Sequence, residues 1–405
     1  MKTDVVIVGA GPAGSIAAKT LAEKNINVLL IEKKKFPRDK PCGGGLPIRV
    51  IKRFPWIEDI GVIESYSYGG HVHSETLHYK AESHENKPII AMVQRKKFDG
   101  MLVKTAVEKG VVFQDDKAVV DLKITSDRAE LTLEDGAHIQ TDLVIGADGV
   151  YSIVARKTGL STKHEYICPC VVEEFLMDAE VMDKFYTDKR FCHIHLKPFG
   201  LAGYGWVFPK KNHINIGLGE YRRLGKKNRE KKNLRELYKK YLHLLKENNI
   251  IPKETKTKHP QGGTLPVKPL KKTYSDRVLL VGDAAGFINP VSGEGIYYAL
   301  VSGETAAKVA AEAIKNSDTS EQFLSTYQRL CKNDFGYDIR VLVRSTKQWE
   351  KQDTRFLKIM GQDKKLAEML LAIMTGQKSI YELRWTLIKR YLYASLKYSL
   401  KNKNH

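Results

Sequence analysis

The chain predicts an α/β architecture: a parallel-strand nucleotide-binding domain, interleaved with an antiparallel β-rich domain and followed by C-terminal helices. Three observations carry this expectation. Apolar strand runs end in small-residue glycine turns at residues 4–14, 141–149 and 276–286. Segments with strand character fill about 66–93 and 161–264, and helical periodicity takes over in about 316–405. The expected division is 1–65, 94–160 and 265–315 for the nucleotide-binding domain, 66–93 and 161–264 for a substrate-binding domain, and 316–405 for a helical region.

The opening stretch is the most informative. Asp4-Val5-Val6-Ile7-Val8 runs into Gly9-Ala10-Gly11-Pro12-Ala13-Gly14, and a small-residue helix follows. A second apolar run, Val28-Leu29-Leu30-Ile31, ends in Glu32. In such a unit the glycine at position 9 allows a tight turn, Gly11 lets backbone approach a pyrophosphate, and Gly14 lets the helix pack closely on the sheet. The helix N-terminus offers free N–H groups to phosphate. Glu32 is placed to accept hydrogen bonds from ribose hydroxyls.

Composition narrows the class. The 405 residues carry 67 Lys and Arg against 47 Asp and Glu, a formal charge of +20, and 42% are hydrophobic, enough for a large core. That charge suits either a cationic surface for anionic lipid or nucleic acid, or a generally lysine-rich surface, and it is spread along the chain. Its densest part, Lys226 to Lys246, interleaves Lys231, Lys232, Lys239 and Lys240 with Leu234, Tyr238, Tyr241, Leu242 and Leu245, as an amphipathic helix would. No run of about 18 apolar residues is present and the N-terminus enters a strand at once, so a cytoplasmic location is expected. Five cysteines suit a reducing compartment better than a disulfide framework.

After Glu32 a polar loop leads into Pro41-Cys42-Gly43-Gly44-Gly45, which reads as a place where backbone approaches a flat ligand. Phe98, Leu102 and Ala106 predict a helix over 98–109, and strands are expected near 111–113, 118–125 and 129–133. A further helix is expected from about 295 to 314. In the last helix Tyr381, Trp385, Ile388, Leu392 and Leu396 share a stripe, with Arg384, Lys389, Arg390, Lys397 and Lys401 elsewhere. That pattern suits a helix docked on its own domain or one lying in a membrane interface. His71-x-His73, Cys192-His193-x-His195 and Cys168-x-Cys170 have spacing two, which reads as strand alternation, and no metal is expected.

Three strand ends thus carry glycine turns, and ligands of parallel sheets bind at carboxyl ends of strands. The third carries Asp283 and is followed by Gly293-Glu294-Gly295, which opens a helix. Together these segments, with Gly146-Ala147-Asp148-Gly149 and Gly282-Asp283-Ala284, resemble the p-hydroxybenzoate-hydroxylase-type FAD fold, with its Rossmann-like FAD-binding domain. Within it the chain resembles the geranylgeranyl reductase family, on Pro41-Cys42-Gly43-Gly44-Gly45, Tyr204-Gly205-Trp206-Val207-Phe208-Pro209 and Ile216-Gly217-Leu218-Gly219. The family's motif is P-x-x-Y-x-W-x-F-P; here Leu201 stands where its first proline would be, and the nearest proline is Pro198.

The resemblance implies FAD contacts at Ala13, Glu32, Cys42, Gly43, Gly45, Arg95, Val119, Asp283, Gly295 and Ile296, beside Gly9, Gly11 and Gly14. Period-two alternation places Tyr204, Trp206 and Phe208 on one strand face, a wall for an isoprenoid substrate. Reducing an isolated alkene builds cationic character on the more substituted carbon, which aromatic faces stabilise by about 0.5–2 kcal/mol. Tyr204 and Trp206 are therefore expected to position the alkene, with Cys42 as a proton-delivering or gating residue.

The resulting expectation is an FAD-dependent reductase of geranylgeranyl chains, of archaeal-type ether phospholipids. Reduction of a quinone or chlorophyll-type prenyl side chain, or aromatic hydroxylation with NAD(P)H and oxygen, is the alternative. The electron donor is open among NAD(P)H, ferredoxin and others. Peripheral contact with the cytoplasmic membrane face is expected, and nucleic-acid binding is not.

Overall fold

In a computed structural model, which describes residues 2–74, 77–82, 86–161, 165–224, 233–349 and 355–401, the chain divides into two compact units. One comprises Met1–Lys40, Arg95–Ile167 and Leu265–Arg340; the other comprises Pro41–Gln94, Cys168–Thr264 and Val341–His405.

The first unit is built on parallel strands. Val278–Leu280, His138–Gly146, Lys2–Val8, Val28–Ile31 and Val112–Gln114 lie side by side in that order, and each neighbouring pair is parallel. The runs of Val, Ile and Leu in the first four are buried on both faces, as a helix-covered parallel sheet requires, while Val112 on the edge strand is exposed. The helices Pro12–Ala22, Arg95–Val107 and Ile296–Lys315 supply cover. Hydrogen bonds from Gly9 N to Ile31 O, Ala147 N to Val8 O and Val281 N to Gly146 O carry the ladder into the glycine turns. The three turns therefore stand together at the carboxyl ends of neighbouring parallel strands. Ala129–Leu133 adds antiparallel to His138–Gly146, and Val119–Ile124 to Ala129–Leu133.

Among the described residues the large sheet of the second unit has eight strands, as the first unit's sheet does, in the order Arg222–Arg223, Tyr166–Leu176, His213–Glu220, Gly203–Pro209, Cys192–Leu196, Gly69–Ser74, Leu77–Glu82, with Gln261–Pro266 also pairing with Tyr166–Leu176. A three-stranded sheet of Gly45–Pro47, Ile90–Val93 and Ile63–Ser67 accompanies it. One face of the large sheet, with Val171, Val207, Ile216 and Leu218, packs on Met182, Tyr186, Tyr238, Tyr241 and Leu245 of the helices Ala179–Tyr186 and Leu234–Glu247. The opposite face, with Val72, Ile194, Leu196 and Tyr204, packs on Ile359, Met360, Leu366, Leu387, Tyr391 and Ala394. Those residues come from the helices Arg355–Gln362, Lys364–Met374 and Ile380–Lys401.

Several expectations need correction. Residues 41–65 fall in the β-rich unit, because Gly45–Pro47 and Ile63–Ser67 pair with Ile90–Val93. Residues 316–405 form no unit of their own: Glu321–Cys331 belongs to the first unit, and the last three helices roof the large sheet, whose apolar face needs cover. In the β-rich sheet the pairings among Tyr166–Leu176, His213–Glu220, Gly203–Pro209 and Cys192–Leu196 and between Gly69–Ser74 and Leu77–Glu82 are antiparallel, while Gly69–Ser74 and Cys192–Leu196 run parallel, as two strands from separate chain excursions can. The helix expected over 98–109 is Arg95–Val107, which brings Arg95 into its first turn. The basic helix is amphipathic as expected, its exposed face carrying Arg235, Lys239 and Lys240; Lys231 and Lys232 lie outside the described residues.

Candidate active site

Gly9 adopts φ +103°, and a Cβ there would lie 2.4 Å from Ala147 O. A side chain at position 14 would meet Gly9 O at 1.9 Å, so the helix start is pressed against the first strand. Gly11, by contrast, is open: the nearest atom to a Cβ there is an Arg38 nitrogen at 3.8 Å. Gly11 caps the Pro12–Ala22 helix without a side-chain hydrogen bond, which leaves first-turn N–H groups for an anion.

Glu32 is buried at the end of its strand. Its Oε2 accepts a hydrogen bond from Ala10 N at 3.0 Å and its Oε1 one from Lys34 N at 3.2 Å. The acid therefore ties the glycine loop to the second strand. Lys117 N donates to Glu32 O, which draws the segment just before Val119 onto the same strand end.

Two residues the sequence did not single out complete this region. Arg38 Nε lies 3.5 Å from Glu32 Oε1, and its Nη1 donates to Asp99 Oδ2 at 3.0 Å. Arg95 makes a bidentate pair with the same carboxylate, at 2.8 and 2.9 Å. Asp99 is fully buried between the two guanidiniums, so each Arg is held in one geometry. The signal for Arg95–Asp99 is their i, i+4 spacing; Arg38 joins from 61 residues away.

The other turns fit a dinucleotide as well. Asp148 Oδ2 accepts from Ile153 N and Val154 N, while its Oδ1 is closed from solvent with no hydrogen-bond partner among the described residues. Burial raises the Asp148 carboxyl above its ordinary range. Asp283 Oδ1 lies 3.5 Å from the place a Cβ on Gly295 would take, and Gly295 caps the helix Ile296–Lys315 with no side-chain hydrogen bond. Gly303 of that helix passes so close to the first helix that a Cβ would sit 2.3 Å from Ala13 O. Glu294 Oε1 accepts a hydrogen bond from Tyr297 N at 2.6 Å and so covers part of that helix start, whereas the open Gly11 and the first turn of Pro12–Ala22 are what a bound dinucleotide would satisfy.

In the second unit the strand Gly203–Pro209 presents Tyr204, Trp206 and Phe208 on one face, with ring centroids 5.7 and 6.4 Å apart in succession. Trp206 pairs with Gly217 and covers it: a Cβ on Gly217 would lie 2.0 Å from the indole. Trp206 Nε1 donates to Asn215 Oδ1 at 2.7 Å. Asn215 Nδ2 donates to Cys42 O at 3.0 Å and to Glu174 Oε1 at 3.1 Å. The fully buried Lys210 pairs with Glu174. One network thus joins the aromatic stripe to the glycine loop, and Asn215, Glu174 and Lys210 were not legible as its members.

The triple-glycine loop is built against this stripe. The space beside Gly43 belongs to the Phe208 ring, 2.8 Å from where a Cβ would be. Gly44 N donates to Cys42 Sγ at 3.4 Å. All five cysteines are free thiols. Burial, and then Cys170, Cys168 and Cys42 nearby, hold the Tyr204 hydroxyl well above its ordinary pKa. Tyr204 therefore keeps its proton at neutral pH. Leu201, where the family motif has proline, is buried in the sheet–helix core and donates its N–H to Pro198 O at 3.0 Å, a bond proline could not make.

The histidine pairs lie on the reverse face of the same sheet, on the strands Gly69–Ser74 and Cys192–Leu196, where Tyr241 Oη meets His195 Nδ1 at 2.9 Å. His71, His73, His193 and His195 stack, with centroids 4.7 Å apart for His71–His193 and 4.3 Å for His73–His195. Burial first, then the three neighbouring histidines, push His193 down to about 2. Among the described residues no group of three or more His, Cys, Asp or Glu side chains is arranged to hold a metal ion.

Of the expected FAD contacts, Gly9, Gly11, Ala13, Gly14, Glu32, Arg95, Val119, Asp283, Gly295 and Ile296 lie in the first unit, and Cys42, Gly43 and Gly45 in the second. Comparison with known proteins agrees with the cofactor. The FAD binding domain family matches residues 2–334. Digeranylgeranylglycerophospholipid reductase 1 of Methanopyrus kandleri is 35% identical over 351 residues, 83% of this chain and 87% of that protein. Digeranylgeranylglycerophospholipid reductase of Methanocaldococcus jannaschii is 34% identical over 344 residues, 81% of this chain and 82% of that protein. A crystal structure of a geranylgeranyl bacteriochlorophyll reductase-like protein from Thermoplasma acidophilum superposes with a TM-score of 0.78 at 23% identity, covering 95% of this chain and 98% of that one. The protein is an FAD-dependent oxidoreductase, and the chain belongs to the digeranylgeranylglycerophospholipid reductase family.

Proposed function

We propose that the protein saturates isolated C=C bonds in geranylgeranyl chains of ether phospholipids, with Tyr204, Trp206 and Phe208 as the substrate wall. The observation that carries this reading is the aromatic stripe with its apolar surroundings: Ile194, Leu196 and Tyr204 face Leu366, Leu387 and Tyr391 of the C-terminal helices. Polyprenyl chains need such a surface, and a phenol would need buried polar partners in its place.

FAD held by this chain would, when reduced, supply the hydride chemistry. The chain's own residues do the rest. Gly9, Gly11, Ala13, Gly14 and Glu32 hold the dinucleotide half, with Arg38 and Arg95 as fixed cations beside it. Val119, Asp283, Gly295 and Ile296 add to this set within the first unit, and Cys42, Gly43 and Gly45 are the cofactor contacts the family resemblance implies in the second. Tyr204 and Trp206 set the alkene's position and offer ring faces to the carbon that gains positive character. The apolar surroundings exclude water, which would otherwise capture that carbon. Cys42 holds the proton at Sγ and gives it to the other carbon. The electron donor that re-reduces the flavin is NAD(P)H, a ferredoxin or another carrier, and the enzyme works peripherally at a membrane.

The test is anaerobic reoxidation of the chemically reduced flavoprotein. Geranylgeranyl phospholipid should speed reoxidation, and the lipid should gain two hydrogens per double bond by mass spectrometry. Reoxidation that answers only to oxygen plus a phenol would overturn the reading. Full turnover with unchanged products in Cys42→Ala would remove Cys42 from proton delivery.

A further inference from the structure

The helix Ile380–Lys401 has two apolar faces. Ile380, Leu387, Tyr391, Ala394 and Tyr398 turn inward, and all but Ile380 join the cluster that includes Tyr204. On the other side, Tyr381, Trp385, Ile388, Leu392 and Leu396 follow one another at spacings of three and four and are 53%, 66%, 49%, 57% and 66% exposed. Leu400, 66% exposed, extends the row by a further turn. A contiguous outward row of large apolar side chains is uncommon on a soluble surface and marks a contact face.

Its charges specify the partner. Arg384 lies over the Tyr381 ring at 3.7 Å, and exposed Lys389 and Lys397 flank the row; Glu382 is the helix's single acid. An apolar stripe edged by cations, with an aromatic pair at one end, is complementary to the headgroup–acyl boundary of an anionic bilayer. No helix among the described residues is long and apolar enough to cross a membrane, so this one would lie in the plane.

We propose that the outer face of Ile380–Lys401 seats the protein on anionic lipid bilayers. Its inner face covers the apolar sheet face that bears Tyr204, so the docked helix stands between membrane and proposed substrate wall. This deepens the lipid-reductase reading by naming the surface through which the enzyme meets its lipid, and it rests on that reading only for its purpose.

The test is flotation with vesicles of phosphatidylcholine and phosphatidylglycerol in equal parts, using FAD-loaded full-length protein. Wild type should float with them, bind vesicles of phosphatidylcholine alone more weakly, and detach as salt rises. A variant combining Trp385→Ser, Leu392→Ser and Leu396→Ser should lose about a hundredfold or more in partition coefficient, since burying each such side chain accounts for roughly tenfold. Its flavin spectrum and activity on detergent-dispersed lipid should stay unchanged. A second variant, Lys389→Gln with Lys397→Gln, should lose the preference for anionic vesicles. Equal flotation of wild type and the serine variant overturns the proposal, as does a dimer in sedimentation that the serine substitutions dissociate, because a second copy would then cover the stripe. Flotation needs no turnover, so a failed reductase assay leaves this outcome readable.

Discussion

Trp206 covers Gly217, its pairing partner on the neighbouring strand, and the indole N–H is fixed by Asn215 at 2.7 Å. The glycine is the floor on which the aromatic wall rests. Gly217→Ala would place a methyl 2.0 Å from the indole and force the ring to turn. Turnover of geranylgeranyl lipid should fall about tenfold or more, since misplacement by about 1 Å has large kinetic cost. The flavin spectrum should be retained. Steady-state kinetics with flavin content measured in parallel checks this.

Gly14→Ala should fail earlier. Its Cβ would meet Gly9 O at 1.9 Å, backbone against backbone, with no flexible group to yield. The helix must then lift from the first strand, taking its N–H groups with it. Flavin-free protein after purification, or a loss of about 2–4 kcal/mol in urea unfolding, is the expected result.

Lys210→Met probes the network beneath the glycine loop. Its ammonium is fully buried on Glu174, whose side chain is 37% exposed and also bonded to Asn215. Removing the cation leaves a carboxylate that water reaches in part, so destabilisation should be about 1–3 kcal/mol rather than the larger cost of a sealed pair. A double-mutant cycle with Glu174→Gln should recover part of it, read from urea midpoints.

Acid should weaken the fold through His193. The side chain is pushed down to about 2 in the native state, and its ordinary value is near 6.5. The unfolded chain therefore binds the proton in that window and the folded chain does not. Stability is fully present above pH 6.5 and is lost as pH falls from 6.5 toward 2, by at most about 1.4 kcal/mol per unit from this group. Urea midpoints at pH 7 and pH 5 should show the decline. His193→Leu should flatten the slope while lowering stability at pH 7, because His73 Nε2 loses its partner at 3.1 Å.

Much of the nucleotide-binding unit was legible because its signals are local. The Gly9–Gly14 turn and Glu32 lie within one strand–helix–strand unit, where short-range geometry leaves few alternatives. The Tyr204–Phe208 stripe was legible from alternation alone. Arg38 was not, since its pairing with Asp99 joins a loop to a helix 61 residues on. Asn215 carries no local mark in the sequence; its role arises only when the antiparallel register brings it within reach of Trp206 and Cys42. The histidines showed their alternation, but the parallel pairing that stacks His71 on His193 has no local mark. The outer stripe of Ile380–Lys401 was visible as a periodicity, while which of its faces would be covered depended on the sheet beneath.

The chain passes between its two units after residues 40, 94, 167, 264 and 340. Neither half is therefore a contiguous piece of the gene. No single truncation releases one intact, and each must wait for distant segments before its sheet can close, which favours slow folding. Expression of split or shortened forms should yield aggregates.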